Sequence, residues 1–251
     1  MTKIIALFNQ SGGVGKTTLT MNLGYHLAQR QNRVLLLDLD PQASLTTFMG
    51  LDPVILDKTV YEALADEAPL PIHHDVLGMD LAPANINLSA AELELVSTLM
   101  REMRLKNVLL PVQHDYDLIL IDCPPSLGLL TVISLVAATH ILVPIQCQFK
   151  SFQGTDLLLN TIARLRRAAN PNLAIAGFIP TLYDSRTAQE TRTYQAIQEQ
   201  LTPLATVFSP IPKTTFFPDA SEAKLPLARF KPQHPAVSLL ETIAQTLENL
   251  P

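Results

Sequence analysis

Residues Asn9–Thr18, NQSGGVGKTT, follow the apolar run IIALF (4–8) and precede a helical pattern beginning at Lys16. A glycine-rich turn between a strand and a helix is the setting in which backbone cradles phosphate. Gly12, Gly13 and Gly15 let the chain curl tightly enough to aim successive N–H groups at phosphate oxygens, and the helix start adds its positive dipole end. Lys16 is placed to reach β- and γ-phosphates, Thr17 to set its hydroxyl on Mg²⁺, and Thr18 to meet the α-phosphate, with Ser11 and Val14 completing the loop. Gln10 stands where the usual phosphate-loop pattern has a glycine.

Outward from this loop the alternation continues. Apolar runs predict strands at 4–8, 33–38, 79–83, 117–122, 140–145, 173–180 and 206–211. Helical patterns fall near 16–30, 59–66, 89–104, 127–138, 152–168, 186–201 and 235–249. Fully apolar strands separated by helices imply a mostly parallel sheet covered on both faces. The expected fold is therefore α/β, a doubly wound P-loop NTPase domain spanning 1–251. No internal repeat or low-complexity linker divides it.

Two acidic elements accompany the loop. RVLLLDLDPQASLT puts Asp38 and Asp40 at the carboxyl end of a strand, where open α/β sheets hold their ligands. Their i, i+2 spacing points both carboxylates to one side, one to organise a magnesium shell and the other to orient an attacking water. DLILIDCPPSLG ends a second apolar strand in Asp122, the pattern of a carboxylate held on the Mg²⁺ water shell. The CPPSLG turn that follows is a loop suited to sensing a γ-phosphate, with Cys123 expected as a small core thiol.

Composition narrows the function classes. A net charge of −5 argues against a protein that coats nucleic acid over its whole surface. The charge is uneven, however: residues 1–148 hold 8 basic and 15 acidic side chains, and residues 149–231 hold 10 and 6. That asymmetry permits a local basic face. Two cysteines make no disulfide framework and suit a reducing cytoplasm. Lys3 precedes only a short apolar run, which is no signal-peptide pattern. The uncharged stretch 123–149 is interrupted by Pro124, Pro125, Gly128 and Pro144, so it reads as a buried helix and strand rather than a membrane span.

With GGVGKTT, DLDPQ, LAPANINLSAAELEL, IDCPPSLGLLT, VPIQC and LYDSRT in order, nearly the whole chain resembles the ParA/MinD family of deviant Walker A ATPases. The resemblance implies ATP and Mg²⁺ as cofactors, an ATP-dependent homodimer, DNA binding without sequence preference and a small adaptor protein that stimulates hydrolysis. It makes Asp40 the water-positioning carboxylate, places Asp38 close to the metal, and sets Pro212 and Lys213 near the adenine. It also implies a cytoplasmic, nucleoid-associated protein. For the DNA face the basic candidates are Arg164, Arg166, Arg167, Arg186, Arg192, Lys213, Lys224, Arg229 and Lys231, of which only a subset can share one surface.

The chain departs from the family at Ser11, where the family pattern KGGxGK has a lysine that crosses the dimer interface. A serine there resembles the McdA group, which distributes carboxysomes. Lys150, in VPIQCQFKSFQG, is the candidate replacement cation; a solvated surface lysine is the competing reading. Three alternatives differ in class. A MinD-like membrane ATPase needs a basic amphipathic tail, whereas PAVSLLETIAQTLENLP carries only Glu241 and Glu248 as charges. A metabolic enzyme of this fold and a plasmid or chromosome partition ATPase remain.

Overall fold

The computed structural model describes residues 1–251, the side chain of Ser151 excepted. The first third runs β1 (Lys3–Leu7), α1 (Lys16–Gln29), β2 (Val34–Asp38), α2 (Ser44–Phe48), α3 (Val60–Ala65), β3 (His73–Val76) and β4 (Met79–Ala82). The middle holds α4 (Leu88–Glu94), α5 (Arg104–Leu109), β5 (Leu118–Asp122), α6 (Leu129–Ala137), β6 (His140–Gln146), α7 (Phe149–Gln153), α8 (Thr155–Ala168) and β7 (Ala174–Thr181). The last part is helical: α9 (Ala188–Leu201), α10 (Phe216–Glu222), α11 (Leu227–Phe230) and α12 (Pro235–Glu248).

The sheet order is β3-β4-β2-β5-β1-β6-β7, parallel throughout except for the β3–β4 edge hairpin. Strand side chains alternate between two cores as a pleated backbone requires. Ile4, Ala6, Leu35, Leu37, Ile119 and Ile121 pack with α3–α6, α8 and α9. Ile5, Leu7, Val34, Leu36, Leu118 and Leu120 pack with α1, α2, α11 and α12. Close seating of α1 depends on Gly24, where a Cβ would stand 2.6 Å from Leu36 Cδ2. Buried Leu240, Ile243 and Leu247 make α12 an ordinary core-packing helix, each burial favourable by about 1.5–3 kcal/mol. No described helix is long and apolar enough to cross a membrane.

The sequence-based elements need four corrections. The 89–104 helix breaks after Glu94 into short 3-10 turns, because Val96, Ser97 and Thr98 favour helix poorly and Met100 sits at φ 53. The 152–168 helix divides at Gly154. Residues 206–211 form no full strand: Val207 makes a single parallel bridge to Phe178 of β7, and Pro212, just past the segment, makes another to Tyr183, just past β7. The fourth concerns β3, α2, α10 and α11, which are too short to carry a periodic signal.

Candidate nucleotide site

The loop after β1 opens at the carboxyl end of the sheet's centre, flanked by β5 and β6. Gly13 (φ 72) and Gly15 (φ 92) occupy the left-handed region, where an L side chain is strained. The loop is pinned at several points. Asn9 Nδ2 donates to Pro144 O (2.7 Å), Asn9 Oδ1 accepts from Ser11 N (2.9 Å), and Thr181 Oγ1 donates to Val14 O (2.9 Å). Sequence reasoning missed Asn9 and Thr181, since both act on the backbone rather than on a ligand.

Lys16 is buried, and its ammonium donates to Asn9 O and Ser11 O, each at 3.0 Å. Burial lowers its pKa, against the opposing pull of Asp122, then Cys123 and Asp40. An ammonium has three donors, so one stays available toward the cleft. That cleft, about 290 Å³, is lined by Gly12, Lys16, Thr17, Asp40, Ser44 and Pro125 among others. A second cavity of about 640 Å³ adjoins it, largely apolar, walled by Phe48, Leu182, Ile211, Pro212 and Phe217. Pro212, which the resemblance sets near an adenine, is on the wall of this apolar cavity. Lys213 is exposed, and its backbone N–H donates to Tyr183 O (2.9 Å) rather than lining the cavity.

The three carboxylates differ sharply. Asp40 is half-buried in the cleft wall, its Oδ1 accepting from Gln42 N (3.0 Å). Asp38 is fully buried and lines neither cavity: Oδ2 accepts from Thr46 N (2.8 Å) and Thr46 Oγ1 (2.7 Å), and Oδ1 from Asp40 N (3.1 Å). The i, i+2 spacing therefore does not present two equivalent carboxylates. Burial pushes Asp38 up to about 6 despite those bonds. Asp122 is likewise fully buried and lines neither cavity, but it has no hydrogen-bond partner on either oxygen among the described residues, and burial, then the Asp38 charge, holds its pKa well above the ordinary range. The Thr17 hydroxyl faces it and pulls the other way without completing a hydrogen bond.

These residues fit a magnesium ion bound with a nucleotide. Among the described residues no three His, Cys, Asp or Glu side chains form a cage for a metal. Mg²⁺ needs none, because it keeps waters and takes phosphate oxygens plus one or two protein ligands. A buried carboxylate with two unused oxygens beside a threonine hydroxyl supplies that minimal set. Cys123, its thiol pushed up to about 12 by burial, is the inert core residue expected.

The remaining candidates are dispersed. Lys150 is exposed at the start of α7, lines neither cavity and forms no ion pair among the described residues. Arg164, Arg167 and Arg192 are exposed on α8 and α9, on one face of the sheet, while Arg166 turns its Nε to Leu173 O. Lys224, Arg229 and Lys231 lie beyond the opposite face, around α10 and α11. Lys224 edges the larger cavity, and Lys231 stands 5.4 Å over the Phe216 ring. Arg186 is occupied by Asp184 (2.7 Å). Lys213 is separate again. The basic residues do not form one patch.

A parallel α/β sheet with a glycine loop, a buried lysine and an unpartnered aspartate at its carboxyl end defines a P-loop nucleotide-binding protein. The AAA domain family AAA_31 matches residues 2–175, and the chain belongs to it, within the ParA/MinD group of P-loop ATPases. The sporulation initiation inhibitor protein Soj of Bacillus subtilis is 44% identical over 193 residues, 74% of this chain and 75% of that protein. A Mycobacterium smegmatis cobyrinic acid a,c-diamide synthase bound to ADP and magnesium is 39% identical, with a TM-score of 0.81 over 89% of this chain and 91% of that one. A Cyanothece McdA variant in complex with ATP is 25% identical, with a TM-score of 0.88 over 98% and 96%.

Proposed function

We propose that this chain is a Mg²⁺-dependent ATPase of the ParA type that dimerises on ATP, binds DNA without sequence preference and positions an intracellular cargo. The carrying observation is Asp122, a buried carboxylate beside the phosphate loop with no hydrogen-bond partner on either oxygen among the described residues. Leaving such a group without a partner costs a fold several kcal/mol, so its retention points to a ligand that completes it. When bound, Mg²⁺ would neutralise charge on the β- and γ-phosphates. Thr17 and Asp122 hold its shell, and Asp38, committed to Thr46, reaches it only electrostatically. Lys16 directs its free N–H at phosphate, Thr18 meets the α-phosphate, and Asp40 orients the water. The apolar cavity beside Pro212 takes the base.

The finer reading rests on likeness. Ser11 and the McdA fold favour carboxysome cargo, with an adaptor that stimulates hydrolysis; the Soj likeness favours chromosome or plasmid partition. Lys150, exposed on α7, suits a cation offered to a partner's phosphates in place of the absent one at position 11. A nucleoid-associated, cytoplasmic protein follows from the same reading. The resemblance to a cobyrinic acid a,c-diamide synthase keeps an ATP-dependent amide-forming enzyme as the second reading.

The experiment is ATP binding and turnover by the purified protein, with and without DNA. Lys16→Ala should abolish nucleotide binding. Asp40→Ala should bind ATP and turn it over about 10³-fold more slowly. Lys150→Ala should lose dimerisation while the monomer still binds nucleotide. DNA affinity should require ATP and fall by roughly 0.9 log units per tenfold salt for each neutralised phosphate. ATP consumption strictly dependent on a small carboxylic acid and an amide donor would overturn this in favour of the second reading.

A further inference from the structure

The phosphate cleft and the base cavity share Gly13, Gly15, Thr18 and Phe48 among their lining residues. The first three belong to the loop and the first turn of α1; Phe48 comes from elsewhere in the chain, at the end of α2. That helix is five residues long, has no side-chain cap and starts from Ala43 at φ 52, so its own hydrogen bonds cannot fix it. It is fixed from below. Thr46, fully buried at its centre, gives both its N–H (2.8 Å) and its hydroxyl (2.7 Å) to Asp38 Oδ2, and its oxygen accepts from Ala84 N (2.9 Å).

We infer that Phe48 is a specificity-determining residue for the nucleoside, and that Asp38 is the positioning residue that holds it there through Thr46. A half-buried ring on the wall shared by the two cavities is placed to stack on a base. An Asp38 carboxylate with both oxygens already accepting serves the site by anchoring α2. This rests on the nucleotide reading above.

The test compares ADP with inorganic pyrophosphate, by titration calorimetry and by competition, in Mg²⁺ and in EDTA. Base–aromatic stacking is worth about tenfold or more in affinity. Phe48→Ala should therefore lose about tenfold for ADP and leave pyrophosphate unchanged, and Phe48→Tyr should restore ADP binding. Thr46→Val and Asp38→Asn should weaken ADP by about threefold or more, equally in Mg²⁺ and in EDTA, again sparing pyrophosphate. An unchanged ADP-to-pyrophosphate ratio in Phe48→Ala overturns the role of the ring. A loss in Asp38→Asn confined to Mg²⁺ overturns the positioning role and makes Asp38 a metal-shell residue. Phe48 is partly exposed, so its variant stays informative even where a buried change at Asp38 prevents folding. Wild-type protein that binds neither ligand would instead sink the nucleotide reading itself.

Discussion

At the amino end of the strands, Glu248 accepts from Arg30 Nε (2.7 Å) and Asn32 Nδ2 (2.9 Å), and its backbone carbonyl takes the Lys3 ammonium. Arg33 and Asp117 pair beside it (2.9 Å). At the carboxyl end of the same sheet, Asp122 has two buried oxygens and no partner, and Lys16 is buried against backbone carbonyls. One chain thus pairs its charges where strands begin and, among the described residues, leaves Asp122 unpaired where a strand ends. Saturated charge stabilises a fold, whereas unmet charge destabilises it and is kept for something that arrives later. The contrast locates the site without reference to any relative.

Breaking the unmet end should produce the largest effect. Asp122→Asn removes the charge and keeps the shape. Mg²⁺-promoted ADP affinity should fall by about 100-fold or more, on the order of what metal-site partners contribute. The ligand-free protein should meanwhile melt at the same temperature or higher, because an uncompensated buried carboxylate has gone. Calorimetry and thermal denaturation on one preparation check both. A lower melting temperature with intact Mg²⁺ dependence would make Asp122 structural after all.

Protons report the same contrast with a definite sign. Asp38 is raised from 3.8 to about 6, and Asp122 is raised well above 3.8, both chiefly by burial. Between the unfolded and folded values the native state binds more protons than the unfolded one. Their contribution therefore falls as pH rises, from about pH 4 through 6 and beyond. Asp117 and Glu248 are lowered and act in the opposite sense, so the measurement is a difference. Wild type minus Asp122→Asn, without ligand, should lose stability as pH rises from 5 to 7.5. Saturating Mg²⁺ and ADP should flatten that difference, and a slope of the opposite sign would break the assignment.

Much of this was legible in the sequence because the decisive residues sit in uninterrupted local patterns. The sheet followed from apolar runs whose two-residue alternation feeds two cores, and the phosphate loop from glycines that the observed φ of Gly13 and Gly15 makes necessary. Asp122 followed from its place at a strand end. What escaped depends on contacts distant in sequence. Phe48 gains meaning only when α2 meets a cavity built partly from residues 181–224. Asp38 and Asp40 are indistinguishable by spacing; burial, the cleft lining and the Thr46 bonds separate them. The basic residues followed a compositional shift, which says how many charges exist but not that α8 and α11 lie on opposite faces of the sheet.

The saturated end should yield the smallest change and the most specific one. Glu248 joins the last turn of α12 to the turn after α1, since Arg30 and Asn32 both follow that helix. Removing its carboxylate in Glu248→Ala leaves Arg30 and Asn32 partly exposed, so water replaces the lost partner and no buried charge is stranded. The cost should be about 1 kcal/mol, a network of two donors being worth more than a single surface pair and less than a buried one. Salt should shrink it further, because the pair is open to solvent. ADP affinity and ATP turnover should stay as in the wild type, since the strands keep their register and no residue of either nucleotide cavity touches this corner. A fall in nucleotide affinity would mean that the two ends communicate along α1, which starts at Lys16 and ends at Gln29. The division between stabilising and functional charge would then have to be redrawn.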